Sequence, residues 1–309
     1  MGEAPVWGVF VLPGLVGVVA FVAVVFDSAL QVRAAGRPLS VSAVLVAPLR
    51  AVVRLLIGQR RATTAADVVL WRTGVVLVPV IALLAALVLP LGGVAVSDLA
   101  VGVVWFNAME ILAWAAVWMA GWGPNAALSL VGGYRFVAQG LAYELPHMFA
   151  LITAATAAGT LRVGGIVEAQ SGLWFVVWMP VAFVVYLLSA MAMAFWGPFD
   201  APLGRDLAGG AAGELSGVDR LVFLGGRWLL LVVAAAMAVP LFLGGGSGPW
   251  LPGWVWTLLK TAVVLVVVVW LGRRIPTVRM DRFAELAWVV LIPVTILQAL
   301  VVALVVLIR

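Results

Sequence analysis

The sequence predicts an all-α, polytopic membrane protein with about eight transmembrane helices and one cytoplasmic-side amphipathic helix between spans one and two. Three observations carry that prediction. First, 65% of the 309 residues are hydrophobic and only 10% are charged, whereas a soluble domain carries roughly 25% charged residues. A mean hydropathy of +1.22 agrees. Second, apolar blocks long enough to cross a bilayer core, which needs roughly 20 helical residues, recur along the whole chain. Third, the arginines gather in alternate connections between those blocks.

The blocks run over 6–26, 68–91, 99–119, 136–161, 173–196, 221–243, 254–271 and 286–307. The first has no basic residue ahead of it and is followed by Arg33 and Arg37, which does not match a cleaved signal peptide. Pro79, Pro146, Pro180 and Pro293 fall inside blocks, where neighbouring helices can satisfy the freed carbonyls. Turn residues gather between blocks at 121–125, 197–217 and 244–252. No internal repeat is visible. Between spans one and two, at 38–58, Leu45, Leu49, Val52, Val53 and Leu56 share one side, while Arg50 and Arg54 stand on the other. That pattern reads as a helix lying at the membrane interface, or as a solvated helix that merely connects two spans.

Twelve arginines lie in the connections after spans one, three, five and seven, whereas those after spans two, four and six hold only Arg162. Positive charge stays on the cytoplasmic side, so both termini are expected to face outward. The net charge of +5 does not mark a nucleic-acid binder, because the cations separate apolar blocks rather than line one face. Cysteine is absent and His147 is the single histidine. Disulfides, thiolate metal sites and iron–sulfur ligation by this chain are therefore excluded, and no metal site is expected.

An ionisable group at membrane depth is costly and persists mainly where it is paired or lines a wet cavity. The candidates are Glu110, Glu144, His147, Arg227, Lys260, and Arg135 at the mouth of the fourth span. Glu144 sits in GGYRFVAQGLAYELPH, residues 132–147. Helical spacing puts Arg135 and Gln139 on one face and Gly140, Glu144 and His147 on another. A glutamate and a histidine three residues apart beside a proline-freed carbonyl suit proton transfer; alternatively, Glu144 pairs with Arg227 or Lys260 to hold the bundle. Glu110 reads equally as a relay or a structural glutamate. Lys260, the only lysine, suits a proton path as well as it suits snorkelling or a salt bridge. The inner connection 197–220 concentrates Asp200, Asp206, Glu214 and Asp219 with Arg205 and Arg220. It is either a partner-docking surface or chamber rim, or a plain solvated loop.

Taken together, GGYRFVAQGLAYE, IVEAQ at 166–170, GPFDAP at 197–202 and the ending that begins WVWTLLK at 254 resemble the H-subunit family of bacterial NADH–quinone oxidoreductase (respiratory complex I). The related membrane anchor of membrane-bound hydrogenases shares the pattern. The resemblance runs from about residue 62 to 293. It implies a quinone chamber shared with soluble subunits that carry the iron–sulfur clusters and flavin, with no cofactor bound by this chain. It also implies a bacterial plasma-membrane location and buried acids and bases that link quinone reduction to proton movement. Glu144 and Arg135 match the family's fourth-span glutamate and arginine, Asp200 its PFD aspartate, and Lys260, Arg279 and Asp281 match as well. The expected proton path is Glu144, His147, Glu110 and Lys260. The expected chamber or docking loop is Arg135, Gln139, Asp200, Arg205, Asp206, Glu214, Arg279 and Asp281. The family's acidic run after GPFDAP reads Leu203-Gly204-Arg205-Asp206-Leu207 here, and the aspartate of its amphipathic helix is missing. Two other readings stay open: the anchor of a hydrogenase or ferredoxin-linked complex, and a stand-alone ion or solute carrier.

Overall fold

The computed structural model describes residues 2–308. Most of each apolar block lies on helix. In chain order these are α1 (Gly8–Ala34), α2 (Ala47–Ile57), α3 (Val68–Ala86), α4 (Gly102–Trp122), α5 (Ala127–Ala158) and α6 (Val163–Ala169). They continue as α7 (Phe175–Trp178), α8 (Pro180–Met193), α9 (Gly217–Phe242), α10 (Gly253–Arg274), α11 (Met280–Leu286) and α12 (Ile292–Ile308). Six stretches are long and apolar enough to span, namely α1, α3, α4, α9, α10 and 280–308, and α5 with α6 makes a seventh if that pair, bent by 60°, is one span. The fifth predicted span is shorter than expected. It divides into α7 and the 14-residue α8 at Met179, because Pro180 disfavours helical backbone at the residue before it and donates no hydrogen bond.

The ends follow local chemistry. Asp67 caps α3, its carboxylate accepting from the backbone N–H of Leu70 at 2.9 Å. The block predicted to run to 91 leaves the helix at Ala86, and Pro90–Leu91 (β1) instead pairs antiparallel with Val94–Ala95 (β2). Gly2–Glu3 adds a third short strand alongside 94–95. A π turn at Ser42–Val46 leads into the amphipathic α2, whose Leu49, Val53 and Leu56 are exposed.

The core is built around α9, whose buried run Leu230–Ala235 and Met237–Phe242 packs against α3, α8 and α10. Helices α4 and α5 form an antiparallel hairpin across the short 123–126 connection. After α8 the inner connection makes a cis Gly197–Pro198 bond and three 3-10 turns. It folds back against α5 at Gly132, where a Cβ would lie 2.2 Å from the backbone nitrogen of Ala211; only glycine admits that approach.

Candidate functional site

Helix α5 carries two polar regions, one at its beginning and one in its middle. In the middle, Gly140, Glu144 and His147 present one face to α4. Gly140 lets the Trp114 ring lie flat on the helix, since a Cβ there would meet the indole at 2.4 Å. Trp114 then donates through Nε1 to the Tyr143 hydroxyl at 3.0 Å. One turn on, Asn107 Nδ2 donates to Glu144 Oε1 at 2.8 Å. Glu110 Oε2 and His147 Nε2 lie 2.6 Å apart, with side chains 1% and 0% exposed. That contact is close but not aligned as a hydrogen bond. The expectation that Glu144 pairs with Arg227 or Lys260 is therefore not met. The acids and the histidine associate across the α4–α5 hairpin, because Asn107 and Glu110 occupy the α4 face that Glu144 and His147 meet.

This cluster is under-satisfied. Both carboxylate oxygens of Glu110, both ring nitrogens of His147, Glu144 Oε2 and Asn107 Oδ1 are buried and have no hydrogen-bond partner among the described residues. Buried polar groups are almost always bonded, to protein or to ordered water. Six orphan atoms within one helix pair thus mark a place that water molecules can bridge. The Tyr186 ring lies 5.0 Å from the imidazole centroid and Phe106 6.4 Å, so the cluster is walled by aromatic surface.

The second region is a cavity of about 1080 Å³ at the end of the bundle that holds the inner connection. Its cationic lining is Arg135, Arg205, Arg220, Arg227 and Arg279; Asp200, Asp206 and Asp281 face it as well. Five arginines against three aspartates leave a surplus of two positive charges. Arg135 bonds Asp206 at 2.7 Å and reaches the carbonyl of Ala201. The hydrogen bond from that guanidinium holds the Asp206 carboxyl below its ordinary range. Arg279 bonds Asp281 at 3.0 Å, and Asp200 accepts from the Thr277 hydroxyl at 2.7 Å.

Not every expected residue joins these regions. Gln139 is fully buried and ties the inner connection down, donating to the carbonyls of Ala192 and Phe199. Glu214 is exposed and lies outside the cavity lining. Among the described residues Lys260 makes no salt bridge. Its ammonium donates to the carbonyls of Leu243, Gly245 and Ser247 at 2.6, 2.9 and 2.8 Å and stacks 4.1 Å from the Trp174 ring. It caps the end of α9 away from the inner cavity. Sequence reasoning also missed Asp27, which is 4% exposed and takes a bidentate bond from Arg273 at 2.5 and 2.6 Å. An acid near the C-terminal end of span one and a base at the C-terminal end of span seven were the available signal.

Fold and site define a polytopic helical membrane protein with a buried carboxylate–histidine cluster in mid-bundle and a polar cavity at one end. Residues 7–303 match the NADH dehydrogenase family. The NADH–quinone oxidoreductase H-subunit 1 of Geobacter metallireducens is 34% identical over 268 residues, 83% of this chain and 82% of the relative. The H-subunit 2 of Geobacter sulfurreducens is 33% identical over the same length. The H-subunit 2 of Rhodopseudomonas palustris is 39% identical over 219 residues, 70% and 68% of the two chains. The chain belongs to the NADH dehydrogenase family, among the H subunits of NADH–quinone oxidoreductases.

Proposed function

We propose that this chain is the H-type membrane subunit of a complex I-like NADH–quinone oxidoreductase in a bacterial plasma membrane. In this reading it is not catalytic alone. The inner cavity forms part of the quinone chamber and opens toward the cytoplasm. Soluble partners supply flavin and iron–sulfur clusters, and the inner connection with the exposed face of α2 docks against them.

One observation carries the reading: a single helix, α5, bears both the cavity wall and the buried cluster. Arg135 faces the cavity and Glu144 lies nine residues on, roughly 14 Å at 1.5 Å per residue. Quinone reduction to quinol takes up two protons with two electrons. Glu144, Glu110 and His147 are the groups in this chain placed to hand protons along, with bridging water completing contacts the side chains leave open. Lys260, committed to three carbonyls, takes no part in this path.

Purification in mild detergent tests the placement, and iron–sulfur subunits should be retained. A solitary monodisperse chain would refute it. Within the assembled complex, Glu144→Gln removes the exchangeable charge while keeping the bond from Asn107; proton pumping should fall with assembly intact. Normal pumping would remove Glu144 from the path.

A further inference from the structure

Arg227 differs from the other charged residues of the cavity. On α9, its Nε donates to the carbonyl of Ala194 at 3.3 Å and its Nη2 to that of Phe195 at 2.6 Å. The rings of Phe195 and Trp196 lie 5.2 and 4.8 Å from its guanidinium carbon. These contacts fix the position and tilt of the fork. They do not cancel its charge, because carbonyl dipoles and ring faces only attenuate it. Among the described residues no carboxylate forms an ion pair with Arg227, and its Nη1 carries no hydrogen bond. The nearby acids have other partners: Asp27 is bound to Arg273 and Asp200 to Thr277, and both act on Arg227 only through space. Asp206 and Asp281 are held by Arg135 and Arg279.

A half-buried guanidinium with no carboxylate in contact is unfavourable at membrane depth. This one faces a cavity that already has more cations than anions and is large enough for a ring-sized ligand. We infer that Arg227 is the oxyanion site of the chamber, receiving through Nη1 the ionised oxygen of the reduced quinone. The inference rests on the cavity being the quinone chamber. A quinone that accepts two electrons from the partner subunits' iron–sulfur clusters and one proton is a quinolate with one ionised oxygen. The guanidinium holds that oxygen until a second proton converts it to the quinol. Because Ala194 and Phe195 fix the fork beforehand, it needs little reorganisation when the charge appears, which is how preorganised donors favour a charged state.

The test is competitive inhibition of quinone reduction in the purified complex by two alkyl-naphthoquinones of the same shape. One bears a 2-hydroxyl that is ionised at the assay pH, and the other bears an uncharged 2-methoxyl. In Arg227→Gln the ionised compound should lose roughly tenfold to a hundredfold in affinity, the range of a charge-assisted hydrogen bond. The methoxy compound should stay within about threefold. Equal losses, or none, would overturn the assignment. Leu224→Glu makes the same test with the guanidinium kept, and it decides the matter if Arg227→Gln does not assemble. A carboxylate one turn before Arg227 on the cavity side competes for the fork and should weaken only the ionised compound; an unselective result counts against the inference. If neither compound inhibits the unmodified complex, the chamber reading itself fails, and the role of Arg227 with it.

Discussion

Replacing His147 by phenylalanine isolates the energetics of the buried cluster. The ring fits by shape, since the imidazole already packs between Tyr186 and Phe106, so the change removes polarity more than volume. It leaves Glu110, 1% exposed, without the group 2.6 Å away. Removing one partner of a buried ion pair costs about 3–5 kcal/mol. At about 2–4 °C per kcal/mol for a chain approaching this size, His147→Phe should lower the thermal midpoint in detergent by on the order of 10 °C. Adding Glu110→Leu should restore most of it, because exchanging both partners for apolar groups of similar shape is often nearly neutral. The cycle should therefore give a coupling of about 2 kcal/mol or more, read by tryptophan fluorescence on heating. A double variant that loses the sum of the single losses would refute the pairing, and with it the idea that these groups share a proton.

Three further perturbations separate structural from functional roles. Lys260→Met keeps the stem and removes three donors, so the thermal midpoint should drop by several degrees, at about 1.5–3 kcal/mol for a charged hydrogen bond. Turnover per intact complex should hold, and a loss of pumping at unchanged stability would instead put Lys260 in the proton path. Asp27→Asn leaves Arg273 without its bidentate carboxylate and should destabilise the contact between α1 and α10 by about 1–3 kcal/mol; an unchanged denaturation profile would show that the bridge contributes nothing. Asp200→Ala frees Thr277 and loosens the inner connection, so iron–sulfur subunits should wash off more readily during purification. Equal retention would make that connection a passive link.

Much of this fold is written in block length, because a bilayer imposes it. The eight blocks lie mostly on helices for that reason, and the break before Pro180 follows from the residue itself. What the linear pattern could not supply is helix rotation about partners. Glu144 has two cations elsewhere in the chain that would suit it by charge. It meets Asn107 instead, because the antiparallel α4–α5 hairpin turns those faces together. The bond between Asp27 and Arg273 joins residues 246 positions apart, and periodicity carries no signal at that range. Lys260 shows another limit: its partners are backbone carbonyls, which any sequence offers equally, so residue identity could not reveal them.

The distribution of satisfied and unsatisfied polar groups gives the bundle a direction. At the end away from the inner cavity, Gln170 donates to the carbonyls of Ile166 and Pro240 and accepts from the backbone N–H groups of Phe175 and Gly244. Beside it, Lys260 bonds three carbonyls of the turn that follows α9. Both side chains have filled their main hydrogen-bonding capacity with backbone, which holds that end rigid and gives water little reason to enter. In the middle of the bundle the same accounting leaves Glu144 and Asn107 each one partner short, and Glu110 and His147 without a hydrogen bond at either polar atom. A polar network that served only to hold helices together would be selected for completeness, as at the Gln170 end, because each buried orphan costs about 1–3 kcal/mol. An incomplete network in mid-bundle, with a charged cavity toward one end and a complete network toward the other, is what the proposed proton path requires: exchange at the cavity end and a stop at the other.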